Sequence, residues 1–195
     1  TAWPPTLGIK CRMFAPLRPF VSTHYNNRDH RKIAVIDGKT AYTGGANLAD
    51  EYINRKNRFG YWKDSAVRVD GEAVRSFTLM FLQMWNIPRK TDEENYEKYL
   101  SASVSDASET KGYVIPYADS PLDGEKVGET VYMDMINTAR DYVYIFTPYL
   151  ILDNEMTTAL QNAAKRGVDV RIVLPAVPDH YHNQNQAEAL LCRLG

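Results

Sequence analysis

Residues 28–47 read Arg-Asp-His-Arg-Lys-Ile-Ala-Val-Ile-Asp-Gly-Lys-Thr-Ala-Tyr-Thr-Gly-Gly-Ala-Asn. Residues 31–36 are rich in β-branched and apolar side chains, Asp37-Gly38 follows, and residues 40–43 run back. Asp-Gly between two such runs is a strong hairpin signal, because a type I′ turn needs positive φ at both central positions. A two-residue turn sets Ile36 opposite Lys39, Lys32 opposite Thr43 and His30 opposite Gly45. His30 and Lys32 are two apart, so a ring nitrogen and an ammonium leave the strand on one side. Gly44 and Gly45 leave the facing space empty, and glycine in a strand often marks close approach by a ligand or another backbone.

His30-x-Lys32 with Asp37 further on, then Gly44-Gly45-x-Asn47, resembles the HKD signature of the phospholipase D superfamily. Serine is commoner in that family at the position of Gly45. The flanks, residues 26–38, Asp50-Glu51-Tyr52 and Gly60-Tyr61-Trp62-Lys63-Asp64, resemble the bacterial cardiolipin synthases of that superfamily. The resemblance implies an α/β fold built of phospholipase D-like α-β-α sandwich halves, with mixed or parallel sheets flanked by helices. It implies two HKD motifs meeting across a pseudo-two-fold. One histidine forms a phosphohistidine, the other serves as general acid and then base, and no metal or cofactor is used. The activity implied is formation of cardiolipin from two phosphatidylglycerol molecules with release of glycerol. The partners implied are anionic phospholipid and the cytoplasmic face of the cell membrane, reached through a parent protein of which this chain is a soluble piece.

The chemistry of the residues is compatible with that. Transfer of an anionic phosphodiester needs a nucleophile, neutralisation of charge and protonation of the leaving alkoxide. Imidazole, titrating near ~6.5, supplies a nucleophile or a proton near neutral pH. Two histidines sharing one site split into a base and an acid. His30 takes one of those roles, and the residue types alone leave open which. Lys32 is a compact cation for a phosphoryl oxygen. Asn47 resembles the family's phosphate-contacting amide, with Gly44 and Gly45 clearing the way to it. Asp37, the acid of the motif, falls in the turn, where its expected work is to fix the turn and orient its neighbours.

The rest of the chain bounds the reading. It has 195 residues, 44% hydrophobic and 24% charged, with net charge −1. Near-neutral charge argues against a general nucleic-acid binder. Positive charge is local: Lys10, Arg12, Arg18, Arg28, Arg31 and Lys32 face only Asp29 between residues 10 and 32. Cys11 and Cys192 have no metal or redox spacing and read as reduced core thiols of an intracellular protein. No apolar run reaches membrane-spanning length, and no signal peptide is recognisable. His24, and the pair His180 and His182, lack a lysine two residues on; a zinc role for the pair lacks further ligands.

Strands are expected over residues 8–14, 65–69, 113–117, 142–147 and 168–174. Helices are expected over residues 71–85, around 96–100, over 127–140, from an Asp153 N-cap to Arg166 with Gly167 as its stop, and from Asn183. Val74, Phe77, Phe81, Met84 and Trp85 form one stripe, read as core, and Pro88 bars continuation. Val131, Met135 and Ala139 share a face of the 127–140 helix. Tyr61 and Trp62 are read as packing aromatics in a segment that the resemblance lays over the active site. Residues 89–112 are acidic and serine-rich and read as a linker. By the resemblance, it joins residues 1–88, the back of a first phospholipase D-like repeat, to residues 113–195, the front of a second. No second His-x-Lys motif occurs in the chain. Half an active site is therefore expected, completed by downstream sequence or another copy. Two other readings remain: a phosphodiesterase or nuclease with this motif, and a non-catalytic lipid-binding module.

Overall fold

The computed structural model describes residues 8–12, 29–57, 60–87, 96–101, 112–120 and 124–175. Two compact units are present: Thr1–Leu48 with Asp64–Pro121, and Ala49–Lys63 with Leu122–Gly195.

The first unit is built on the hairpin. β1 (Ile33–Ile36), β2 (Thr40–Gly44) and β3 (Ala66–Asp70) form an antiparallel sheet in the order β1-β2-β3. Asp37 (φ 53°) and Gly38 (φ 66°) both take positive φ, and the Lys39 amide donates to the Ile36 carbonyl at 3.0 Å. That is the expected turn. The ladder nevertheless pairs Ile36 with Thr40 and Ile33 with Thr43, one residue away from the expected register. Lys39 is the extra residue, a bulge between turn and ladder. The burial pattern explains why this register wins. A one-residue slip exchanges the faces of a strand. The register found lets Ile33 and Val35 join Ala41, Val69, Val74 and Phe77 in one apolar cluster. Continued one step, it sets Lys32, not His30, across from the paired glycines.

Helix α1 (Val74–Asn86) covers that face. Its buried row is Val74, Phe77, Thr78, Leu82 and Asn86 rather than the expected Val74–Phe77–Phe81–Met84–Trp85 stripe. Thr78 is tolerated inside because its hydroxyl donates to the Val74 carbonyl at 3.0 Å. Phe81 is 49% exposed and stacks on Trp85 at 5.7 Å. The short helix α2 (Glu97–Leu100) forms where expected, and Asn86 Nδ2 donates to the Tyr96 hydroxyl beside it.

Two expected strands do not form among the described residues. Residues 8–12 have no ladder partner among the described residues; Met13 and Phe14 lie outside them. The Arg12 guanidinium lies 4.0 Å from the Trp85 ring centre and donates to the Trp85 carbonyl at 2.6 Å, so α1 takes up this segment. Residues 113–117 likewise form no strand, with Tyr113 97% exposed. Alternating apolar residues need a neighbouring ladder, which these lack. Cys11 is exposed, which corrects its reading as a core thiol. His24, Arg18, Arg28, Pro88, His180, His182, Cys192 and the helix expected from Asn183 lie outside the described residues.

The second unit is a parallel pair. Helix α3 (Val127–Thr138), strand β4 (Tyr142–Phe146), helix α4 (Asn154–Lys165) and strand β5 (Asp169–Val173) follow in order. β4 and β5 pair in parallel, Tyr142 with Asp169 through Phe146 with Val173. Asp153 caps α4, its Oδ1 accepting from the Met156 amide at 2.8 Å. Gly167 (φ 91°) ends it: the Gly167 amide donates to Ala164 O at 2.9 Å and Val168 N to Ala163 O at 3.1 Å. That is a Schellman cap, with buried Val168 as its apolar contact. Ile136, Ala159, Leu160, Ala163 and Val168 form the core, against Val143, Ile145, Val170 and Ile172 of the sheet. On α3, Ile136 and Met133 turn inward; of Val131, Met135 and Ala139, Ala139 packs against the core and Met135 is exposed. Trp62 packs edge-on against Tyr52 at 4.6 Å, whereas Tyr61 is 84% exposed and does not pack.

Candidate active site

His30 and Lys32 come together just before β1. Lys32 Nζ stands 2.9 Å from His30 Nε2 and donates to the His30 carbonyl at 2.8 Å. His30 is exposed and Lys32 half-buried. The alternation of the strand sends both away from α1. Asp29 is engaged with Arg31, whose Nε lies 2.7 Å from Asp29 Oδ1 and whose amide donates to the same oxygen at 3.3 Å. An acid–base pair thus flanks the two bases.

Partial burial pushes the Lys32 ammonium below the ordinary lysine range; Asp29 and then Asp64 push it back up. Asp64 has no role in the sequence reading beyond its place in the Gly-Tyr-Trp-Lys-Asp text, and that position was the only available signal. Its carboxylate leans over Gly45: a Cβ built there would meet Asp64 Oδ1 at 2.6 Å and Oδ2 at 3.1 Å. A Cβ on Gly44 would instead meet the Ser65 carbonyl oxygen at 2.5 Å. Gly44 is therefore required by the approach of β3, to which it is paired through Ala66.

Asn47 lies on the exposed segment that follows the two glycines. Asp37 stands apart. It occupies the turn at the far end of β1, about 16 Å along the chain from Lys32 at ~3.3 Å per residue. There it lines an open groove of 580 Å³ with Lys10, Lys98, Trp85 and Tyr99. The structure thus brings Lys32 to His30 and Asp64 to Gly45, and leaves Asp37 at the other end of β1. Among the described residues, no group of three or more His, Cys, Asp or Glu side chains could hold a metal ion, and no helix is long and apolar enough to cross a membrane.

Two basic nitrogens 2.9 Å apart cannot neutralise each other. What they can do together is receive an anion, with the ammonium on one oxygen and the imidazole free to attack or to pass a proton.

Residues 132–194 match the family described as "Cardiolipin synthase, PLD-like domain". The chain is 63% identical over 173 residues to an uncharacterised protein of Streptococcus mutans, covering 89% of this chain and 37% of that protein. It is 39% identical over 173 residues to a cardiolipin synthase of Alkalihalophilus pseudofirmus, covering 88% of this chain and 34% of the relative. It is also 39% identical over 174 residues to cardiolipin synthase 2 of Staphylococcus epidermidis, covering 89% and 35%. The chain thus spans about a third of the length of the curated relatives it matches.

Proposed function

We propose, from the similarity of this chain to cardiolipin synthases and to their PLD-like domain, that His30 and Lys32 are half of a phosphatidyltransferase site. The observation that carries the reading is the 2.9 Å approach of Lys32 Nζ to the exposed His30 Nε2. The other half is a second histidine and lysine from further sequence or another copy of the chain.

The substrate phosphodiester is that of phosphatidylglycerol. Lys32 and the Asn47 amide hold its non-bridging oxygens. One of the two histidines attacks phosphorus through a neutral ring nitrogen, an N–P bond forms, and the P–O bond to glycerol breaks. The other histidine gives its proton to the departing alkoxide, which leaves as glycerol. A hydroxyl of a second phosphatidylglycerol then passes its proton to that histidine and attacks phosphorus. The N–P bond breaks and cardiolipin is released. His30 fills one of the two roles. Asp37 acts through the turn: with Gly38 it sets the loop that fixes β1 and hence the place of Lys32. Because its substrate is a bilayer lipid, the full protein works at a membrane surface, and the family resemblance makes that the cytoplasmic face.

Quenching the full-length protein during turnover of phosphatidylglycerol, with His30→Asn as control, tests this by mass spectrometry. A phosphatidyl adduct on His30 together with new cardiolipin makes His30 the nucleophile. An adduct on another histidine, with turnover lost in His30→Asn, makes His30 the acid and base. Phosphatidic acid without cardiolipin assigns water as the acceptor, and cleavage of a nucleic acid instead assigns a nuclease. Phosphatidylglycerol binding with no chemistry, unchanged in His30→Asn, assigns a lipid-binding module.

A further inference from the structure

We propose that Lys32 covers the ring nitrogen it stands beside: in the free site its ammonium occupies the lone pair of His30 Nε2, and a phosphodiester anion uncovers that nitrogen by drawing the ammonium onto itself. His30 is thereby assigned the attacking role. The proposal rests on reading His30 and Lys32 as the phosphoryl-binding pair.

A lysine ammonium has three N–H donors and no acceptor. Its 2.9 Å approach to His30 Nε2 is therefore a hydrogen bond only where that nitrogen brings a lone pair. A ring with its one proton on Nε2, or with both nitrogens protonated, would set donor against donor. The reverse arrangement, a neutral amine accepting from Nε2–H, requires the lysine to lose its proton first. Lysine keeps its proton about four pH units beyond imidazole. Partial burial narrows that gap at Lys32, and Asp29 and then Asp64 widen it again. The contact thus selects a neutral ring with its proton on Nδ1. That is the form that attacks phosphorus, not the form that protonates a leaving alkoxide. While the ammonium stays on Nε2, the same lone pair cannot attack.

The second bond of the ammonium lets it leave the ring and stay in place. Lys32 Nζ donates to the His30 carbonyl at 2.8 Å, a backbone oxygen. This bond tethers the ammonium while another of its N–H groups changes partner from Nε2 to a phosphoryl oxygen. An anionic oxygen is the stronger acceptor, because the bond is then charged at both ends. The neighbouring Arg31 is engaged with Asp29 at 2.7 Å. Binding of the anion at Lys32 and exposure of the nucleophile become one event.

Nitrogen NMR of the histidine rings in the intact chain tests this, at a pH where imidazole is neutral and lysine charged, with amide spectra as the folding control. His30 is expected as the Nδ1–H form. Lys32→Met is expected to return the ring to the tautomer mixture of the urea-unfolded chain. Dimethyl phosphate, a monoanionic phosphodiester, should move the Lys32 amine signal and, in step with it, the Nε2 signal toward its position in Lys32→Met. Acylation of His30 by diethyl pyrocarbonate, mapped by mass spectrometry, should be about tenfold faster in Lys32→Met, the worth of one charge-assisted hydrogen bond. An Nε2–H ring in the unsubstituted chain, or equal acylation rates, would overturn the cover. A Lys32 response to dimethyl phosphate with His30 unchanged overturns the uncovering and leaves the phosphoryl site standing. A response at neither group removes the phosphoryl site, whatever the tautomer.

Discussion

Charged pairs two residues apart occur on strands in both halves of this chain, and they behave oppositely. On β5, Asp169 and Arg171 are of opposite sign. Arg171 Nη2 lies 2.8 Å from Asp169 Oδ2, Arg171 Nε donates to Oδ1 at 3.1 Å, and the Tyr144 hydroxyl adds a bond to Oδ2 at 2.8 Å. Arg68 and Asp70 on β3 do the same at 2.9 Å. Each of these clusters satisfies itself. Before β1 the same spacing joins His30 to Lys32, and although Lys32 bonds the His30 ring nitrogen and carbonyl, the pair contains no anion to compensate the ammonium. Strand alternation makes pairs; the signs of the partners decide whether a pair is finished or has capacity left for a ligand.

The largest expected break of that comparison is chemical. His30→Asn in the full-length protein should lower transfer by about 10³-fold or more, as loss of a nucleophile or acid–base group does, with the melting temperature unchanged. Arg171→Ala should leave turnover within about twofold, since its partners are all internal. Similar losses in both would erase the distinction.

Next come effects on the scaffold. Leu160, 1% exposed under the parallel sheet, should cost ~2–5 kcal/mol as Leu160→Ala in urea unfolding, by transfer and cavity terms. Gly44→Ala should cost ~1–3 kcal/mol because backbone of β3 must move, whereas Gly45→Ala should cost less, since only a carboxylate must turn. Equal costs would mean that the Asp64 side chain is as immovable as backbone. Asp153→Ala should remove about 1 kcal/mol with the N-cap bond.

The smallest effect lies in the self-satisfied cluster. Hydrogen bonds from Arg171, and then from Tyr144, hold the Asp169 carboxyl below the ordinary carboxylate range, and the bond to Asp169 holds the Tyr144 phenol above the ordinary tyrosine range. A carboxylate lowered in the fold adds stability that is present above its unfolded pKa. That stability is lost as the pH falls through the lowered value. The cluster is exposed, so salt should screen the effect. Asp169→Asn should lower the Tyr144 titration, read from phenolate absorbance; no movement would show that the bond to Asp169 is not what raises it.

Much of this was legible in the residue order. Asp153, Gly167 and the β-rich run at 142–146 mark the parallel unit correctly because caps, stops and strand runs are local signals. The turn at Asp37-Gly38 is local as well, and its positive φ values follow from the residue types. The pairing of His30 with Lys32 needs only the alternation of a strand. Thr78 inside α1 and Phe81 outside it were not legible: a threonine that bonds its own helix hides its polarity, and an apolar stripe has no way to announce where its cover ends.

What the amino-acid order settled by itself, then, is the hairpin turn, the elements of the parallel unit with their caps, and the meeting of one histidine with one lysine, all consequences of φ preferences and periodicity over a few residues. What only the tertiary structure decided is the register of the hairpin and the company that pair keeps. Packing of Ile33 and Val35 against Ala41, Val69 and Val74 selects the one-residue bulge at Lys39. That bulge, with the approach of β3, delivers Asp64 over Gly45. Both depend on contacts between residues far apart in the chain, whose burial is shared and cannot be assigned to any one of them before the chain has folded.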